Sequence, residues 1–464
     1  MNDAPAGSDN REKNRFAGRM NRYARVSAGV GTAAARVAAG RMLSRDKDLS
    51  AEARLFRDAL GSLKGPLMKV AQLLATIPDA LPAAYAAELS QLQSHAPPMG
   101  WPFVRRRMSA ELGPDWEGRF ASFEREAAAA ASLGQVHRAV ARDGEPLAVK
   151  LQYPNMESAV EADLSQMRFI LSIYRRMDPA IETSEIAKEI GARLREELDY
   201  GREARHIALY AHILKDLAHI RVPGVRPELS TRRLLTMSWL EGRRLLDFTD
   251  APLEQRNRLA GSLFHAWWWP FCGHGVIHGD PHLGNYSAWL DDSGTPKGLN
   301  LLDYGCIRIF PPHFVAGVFD LYHGLMEDDR ERIVHAYEVW GFAGLDNELI
   351  NILNIWAGFI YGPLMDDRVR AIADGVSPAE YGRRQAFTVH QALKKKGPVT
   401  VPREFVLMDR AAIGLGGVFI HLKAELNFYR LFNEALEDYS LAGVAERQAA
   451  ALAAVGLDSA DGRG

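Results

Sequence analysis

The stretch VIHGDPHLGNY, from Val276 to Tyr286, constrains this chain more than any other. His278 and His282 stand four apart, the interval of a helical metal pair, but Gly279, Pro281 and Gly284 argue against a helix through them. The segment therefore reads as a loop entered from the apolar Val276 and Ile277. Its polar residues allow two readings: a metal site on the histidines, or a catalytic loop whose working groups are Asp280 and Asn285. There is no HExxH pattern, and with Cys272 and Cys306 as the only cysteines a Cys-based zinc site is not available. The second reading is preferred, with His282 anchoring the loop.

Phosphoryl transfer needs a carboxylate near the attacking oxygen and an amide oxygen for magnesium, a fixed loop apart. Asp280 and Asn285 meet that need at the interval of a kinase catalytic loop. Downstream, LNLLDYGCIR places Asp303 at the end of an apolar run, before Tyr304 and Gly305. That is the setting of a metal-binding aspartate of the DFG type, with tyrosine for phenylalanine. Upstream, PLAVKLQYP sets Lys150 inside an apolar strand, where an ammonium needs an anionic partner. Nucleotide phosphates and a helix glutamate are the kinase answer. Candidates for the glutamate lie in REELDYGREARH: with a helix running through Gly201, Asp199 and Glu203 share a face and Glu197 points elsewhere. Where a kinase has a glycine-rich loop over the phosphates, this chain has AAAAASLGQVH. An alanine run is ordinarily helix, yet its place before the Gly134–Val140 strand suits a stiff phosphate-covering loop with Ala130, Ala131 and Ser132 at its tip.

The surrounding chain supports a two-part α+β organisation. Residues 1–48 form a basic arm, with Arg11, Lys13, Arg15, Arg19, Arg22 and Arg25 opposed by Glu12, suited to an anionic lipid surface if helical and otherwise a solvated tail. Residues 49–115 read as helical, 116–243 as a small mixed unit with two strands joined at Asp143-Gly144, 244–445 as mostly helical, and 446–464 as a loose tail. The chain's 464 residues are 47% hydrophobic and 25% charged, enough for more than one core, and the net charge of −2 gives no pull towards nucleic acid. No apolar run is long enough to span a bilayer and the N-terminus is not a secretory signal, so a reduced, cytoplasmic setting is expected, with peripheral attachment at the inner membrane as the membrane option.

Taken in order, KGPLMKVAQLL, AAAASLGQVH, AVKLQYP, EELDYGREA, HGDPHLGN and LDYG resemble the UbiB-type atypical kinases, also called the ADCK or aarF family, over roughly residues 60–310. VPREFVLMDRAAIGLGGVF is similar to the family's C-terminal region. The resemblance implies a protein-kinase-like two-lobed fold with a mostly helical C-lobe and an N-terminal helical extension over the active site. That extension would carry the KxGQ-like motif, here Lys69 to Gln72, with Lys69 meeting Glu197, the glutamate of an ExD motif that ends at Asp199. Glu203 would then be the partner of Lys150. The resemblance also implies ATP and Mg2+ as cofactors, ATPase activity, and a role in ubiquinone or other isoprenoid-quinone biosynthesis, with isoprenoid lipid or quinone precursors and quinone-biosynthesis proteins as partners. Two departures are Ala71 in place of the KxGQ glycine and Leu283 in place of proline in the DPHPGN pattern.

Two rivals remain at this point. A small-molecule kinase of the aminoglycoside or choline type uses a similar HGD loop, but the long region before Ala127 and the alanine run count against it. A nucleotide-dependent lipid-binding scaffold with little catalysis is opposed by the joint presence of Lys150, Asp280, Asn285 and Asp303.

Overall fold

The protein is described here from a computed structural model that covers residues 99–131, 133–162, 164–165, 191–192, 194–373, 389, 392 and 402–458. The expected arm, residues 49–98 of the expected extension with Lys69 and Gln72, and Ser132 lie outside the described residues. Among the described residues, those up to Arg202, with Arg226–Met237, form one compact unit, and Glu203–Val225 with those from Ser238 onward form a second.

In the first unit, Pro102 opens helix α1 (Trp101–Leu112), a position where a missing N–H costs nothing. Strands β1 (Phe120–Ala131), β2 (Gly134–Ala141) and β3 (Pro146–Gln152) follow as antiparallel neighbours. Asp143-Gly144 makes the β2–β3 turn, with Gly144 at φ 90° and the Asp143 carboxylate accepting the Glu145 N–H. A later strand, β5 (Leu234–Ser238), completes the order β1-β2-β3-β5. Every residue of β3 after Pro146 is buried, which explains its unbroken apolar texture around Lys150. Val104, Met108 and Leu112 of α1 share a core with Leu147, Val149 and Leu151 of β3.

The alanine run is neither helix nor loop. Ala127, Ala129, Ala130 and Ala131 pair with His137, Val136, Gln135 and Gly134, so the run is the end of β1. Pairing to β2 outweighs the helix propensity of alanine, and Ala128, Ala129 and Ala130 are exposed.

The helix expected to run through Gly201 is also interrupted. Residues 194–196 are helical, Glu197 and Leu198 turn, and helix α2 (Tyr200–Ile213) starts afresh. The cause is local: the Asp199 carboxylate accepts the Arg202 N–H at 3.1 Å and so caps α2.

In the second unit the strands are short. A four-stranded sheet runs β4 (Ile220–Arg221), β9 (Pro296–Leu301), β8 (Tyr286–Leu290), β6 (Arg243–Arg244). Helix α3 (Leu253–His274) ends at Gly275, φ 65°, and delivers the chain into β7 (Val276–His278). β7 pairs with β10 (Ile307–Ile309), matching His278 with Ile307. Helices α4 (Pro312–Glu327), α5 (Arg330–Val339), α6 (Asn347–Tyr361), α7 (Arg403–His421), α8 (Phe428–Leu436) and α9 (Leu441–Ala454) follow, with a short antiparallel pair of strands, Arg370–Ala371 and Glu425–Leu426, among them. Helix α9 occupies part of the segment expected to be a loose tail. Ser440 caps it, Val444, Ala451 and Leu452 are buried, and Gln448 donates to the His274 and Phe310 carbonyls. The fold class is α+β, as expected: a sheet-based unit and a mostly helical one.

Candidate functional site

Lys150, Glu197 and Asp199 belong to the first unit, and Glu203, Asp280, Asn285 and Asp303 to the second. In the second unit the loop after β7 folds onto itself. The Asn285 Nδ2 donates to the Asp280 carbonyl and to its Oδ2, both at 3.1 Å. That amide is therefore oriented, with its nitrogen spent on Asp280 and its oxygen turned away. The Leu302 N–H donates to the Asn285 carbonyl at 3.0 Å, which ties the loop to the residue before Asp303. Asp303 Oδ1 accepts the Gly305 N–H at 2.9 Å. Asp280, Asn285 and Asp303 are thus drawn onto one hydrogen-bonded scaffold.

His278 and His282 support this scaffold. The His278 Nε2–H donates to the Asp303 carbonyl at 2.6 Å while Nδ1 accepts the Asp280 N–H at 3.4 Å, an assignment that fixes the tautomer from its partners. Both ring nitrogens are engaged. His282 Nδ1 accepts the Gly284 N–H at 3.1 Å and caps a short 3-10 turn, Leu283–Asn285. Among the described residues no group of three or more His, Cys, Asp and Glu side chains is arranged to hold a metal.

Around His278 the rings of Tyr210, Trp267, Tyr286 and Tyr304 lie with centroids 5.9–6.3 Å away. Burial pushes the Tyr210, Tyr286 and Tyr304 hydroxyls up, and the Asp280 and Asp303 carboxylates add to this for Tyr286. These phenols remain neutral: Tyr304 donates to the Leu301 carbonyl at 3.2 Å and Tyr286 accepts from the Trp267 indole N–H at 3.0 Å. From α2, His206 Nδ1 meets the Tyr304 carbonyl at 3.1 Å. Imidazoles from two elements therefore grip consecutive carbonyls, those of Asp303 and Tyr304. Reading of the sequence missed His206, although it falls one turn after Glu203 in the same motif.

In the first unit, Lys150 is 8% exposed and its Nζ lies 5.1 Å from the centre of the Tyr200 ring. Gln152, two residues on, donates from Nε2 to the Leu198 carbonyl at 2.6 Å, inside the Glu197–Asp199 segment. The Arg107 guanidinium reaches the Gln152 and Tyr153 carbonyls at 3.1 and 3.2 Å. Asp199 caps α2 and lies 3.8 Å from Arg232, Glu197 is half-buried in the turn, and Glu203 is buried in α2. Ala130 is exposed and Ala131 ends β1. Gln152, Tyr200 and Arg107 were also missed, the first two despite lying within the quoted motifs.

The donor set fits magnesium: Asn285 offers an amide oxygen and Asp303 a carboxylate, both hard ligands. Among the described residues no helix is long and apolar enough to cross a membrane.

Comparison with known proteins bears on this arrangement. The ABC1 atypical kinase-like domain matches residues 91–337. AarF domain-containing protein kinase 1 of Xenopus laevis is 31% identical over 272 residues, 58% of this chain and 52% of that one. Atypical kinase COQ8, mitochondrial, of Saccharomyces cerevisiae is 28% identical over 305 residues, 64% of this chain and 60% of that one. A solved structure described as the complex structure of Rv3197-erythromycin from Mycobacterium tuberculosis superposes with a TM-score of 0.56 at 26% identity, covering 88% of this chain and 99% of that one. The chain spans about half the length of the curated relatives it matches. With residues 91–337 matched, the chain belongs to the family of the ABC1 atypical kinase-like domain.

Proposed function

We propose that this protein is an atypical kinase or ATPase of the UbiB type that binds Mg-ATP and supports isoprenoid-quinone biosynthesis. The observation that carries the reading is the self-bonded loop of Asp280 and Asn285 joined through Leu302 to Asp303. Asn285 and Asp303 hold magnesium, which when bound neutralises phosphate charge. Lys150 takes the α- and β-phosphates, Glu203 orients Lys150, and the stretch Ala130, Ala131 and Ser132 covers the nucleotide. Asp280 lies beside the attacking oxygen, held in place by the Asn285 amide. Lys69 of the KxGQ-like motif, which ends at Gln72, would meet Glu197 of the ExD motif that ends at Asp199. Catalysis then rests on positioning and charge neutralisation.

A relative named as the mitochondrial atypical kinase COQ8 supports the quinone part of the reading. We further propose isoprenoid lipid or quinone precursors and quinone-biosynthesis proteins as partners, with peripheral attachment to a membrane. Quinone profiling of a deletion strain, rescued with wild type or Asp303→Asn, tests this. Loss of quinone restored by wild type alone is expected; normal quinone in the deletion strain refutes the pathway. ATP turnover no faster than in Asp280→Asn would instead favour a nucleotide-binding scaffold.

A further inference from the structure

We propose that Tyr200 is a positioning residue for Lys150: its ring face holds the ammonium while its hydroxyl end seats the turn at Gly134 that opens β2. This rests on the reading of Lys150 as a phosphate-binding group.

Tyr200 is 2% exposed and Lys150 8%, so the 5.1 Å approach of Nζ to the ring centre occurs largely out of water. An ammonium over an aromatic face is attracted by the ring quadrupole, and more so when desolvated. The backbone that carries the ring is held on both sides. The Tyr200 N–H donates to the Arg232 carbonyl at 2.9 Å, and the Leu198 carbonyl two residues earlier is held by Gln152 of β3. At its far end, a Cβ placed on Gly134 would meet the Leu151 backbone oxygen and come within 2.9 Å of the Tyr200 hydroxyl. The Leu133 carbonyl in the same turn accepts the Tyr153 N–H at 3.0 Å. One side chain thus touches the lysine and the turn that follows the alanine run. Tyr200 and Glu203 are three apart in α2, so a single helix face presents first a ring and then a carboxylate. A role in packing alone needs an apolar body of that shape and is indifferent to the electrons of the ring.

The test uses the full chain with Tyr200 replaced by phenylalanine and by phenylalanines of increasing fluorination, which keep the shape and weaken the ring face. The pH midpoint of Lys150 acylation, followed by mass spectrometry, and the ATP KM and kcat are read for each. Phenylalanine is expected to keep the midpoint, and fluorination to lower it stepwise by about 0.5 to 1.5 pH units. KM for ATP rises along the series with kcat changing less. Protection of Lys150 by Mg-ATP together with a flat midpoint across folded variants would sink the role of Tyr200 alone. Absence of that protection in wild type would sink the nucleotide reading, and this role with it.

Discussion

The two units hold their proposed nucleotide-binding residues by different means. In the second unit the working residues hold one another: Asn285 bonds Asp280 five residues away, and Asp303 bonds Gly305 two residues away. In the first unit Lys150 is set from a distance. Gln152 reaches Leu198 and Arg107 reaches Tyr153, each across 46 residues, and Gln135 binds Met99 across 36. A loop that satisfies its own polar groups keeps its shape when packing elsewhere changes. A lysine on a buried strand inherits every disturbance of its core. Substitutions in the first unit should therefore cost stability and function together, and those in the loop should cost function far more than stability.

The largest effect on stability is expected from Arg107→Ala. It leaves two buried carbonyls short of a donor and removes one cation from Glu111, at a cost of about 3 kcal/mol. Urea unfolding checks this, and a cost under about 1 kcal/mol would break the contrast between the units. Gly134→Ala should follow at about 2 kcal/mol, because the Leu151 carbonyl it meets is backbone and cannot swing aside. The same unfolding measurement decides it. Asn285→Ala should cost only about 1 kcal/mol while abolishing magnesium-dependent nucleotide binding by calorimetry. A melting temperature lowered as far as in Arg107→Ala would show that the loop is not self-supporting.

The smallest effect concerns acid. His137 donates from Nδ1 to the Glu124 carbonyl and accepts at Nε2 from Gln135, whose amide also grips both the N–H and the carbonyl of Met99. Burial lowers its pKa below 6.5 and outweighs the Glu124 carbonyl and charge, which raise it. As pH falls the unfolded chain takes up this proton first. The stability from neutral His137 is therefore full above pH 6.5 and is lost as pH drops through the lower folded value. Chemical denaturation of wild type and His137→Gln at about pH 5 and about pH 8 should give a shallower pH dependence in the variant. Equal slopes would remove His137 from the latch on Met99. In the second unit His274, lowered to about 4 by burial and by the Arg447 charge, should add acid sensitivity between about pH 4 and 6.5.

The same contrast explains what was legible in the sequence. The loop of Asp280 and Asn285 could be read because Gly279, Pro281 and Gly284 exclude a helix locally and the bonds that shape it are short in sequence. The Asp143-Gly144 hairpin was legible for the same reason. The grip of Gln135 on Met99, the reach of Arg107 to β3 and the approach of Tyr200 to Lys150 depend on strand packing that no local pattern encodes. The alanine run fell between the two: its propensity points to helix, and only pairing with β2 makes it strand. The break before α2 was in principle readable, since Asp199 stands at the N-cap with Gly201 two residues on.

Calorimetric titration of ATP into wild type and Asp303→Asn, with and without magnesium, tests the assignment of the second unit most directly. Binding that requires magnesium in wild type and weakens at least about tenfold in the variant, at unchanged melting temperature, is the predicted result. Equal ATP affinity in the two proteins would contradict the placement of magnesium on Asp303 and Asn285.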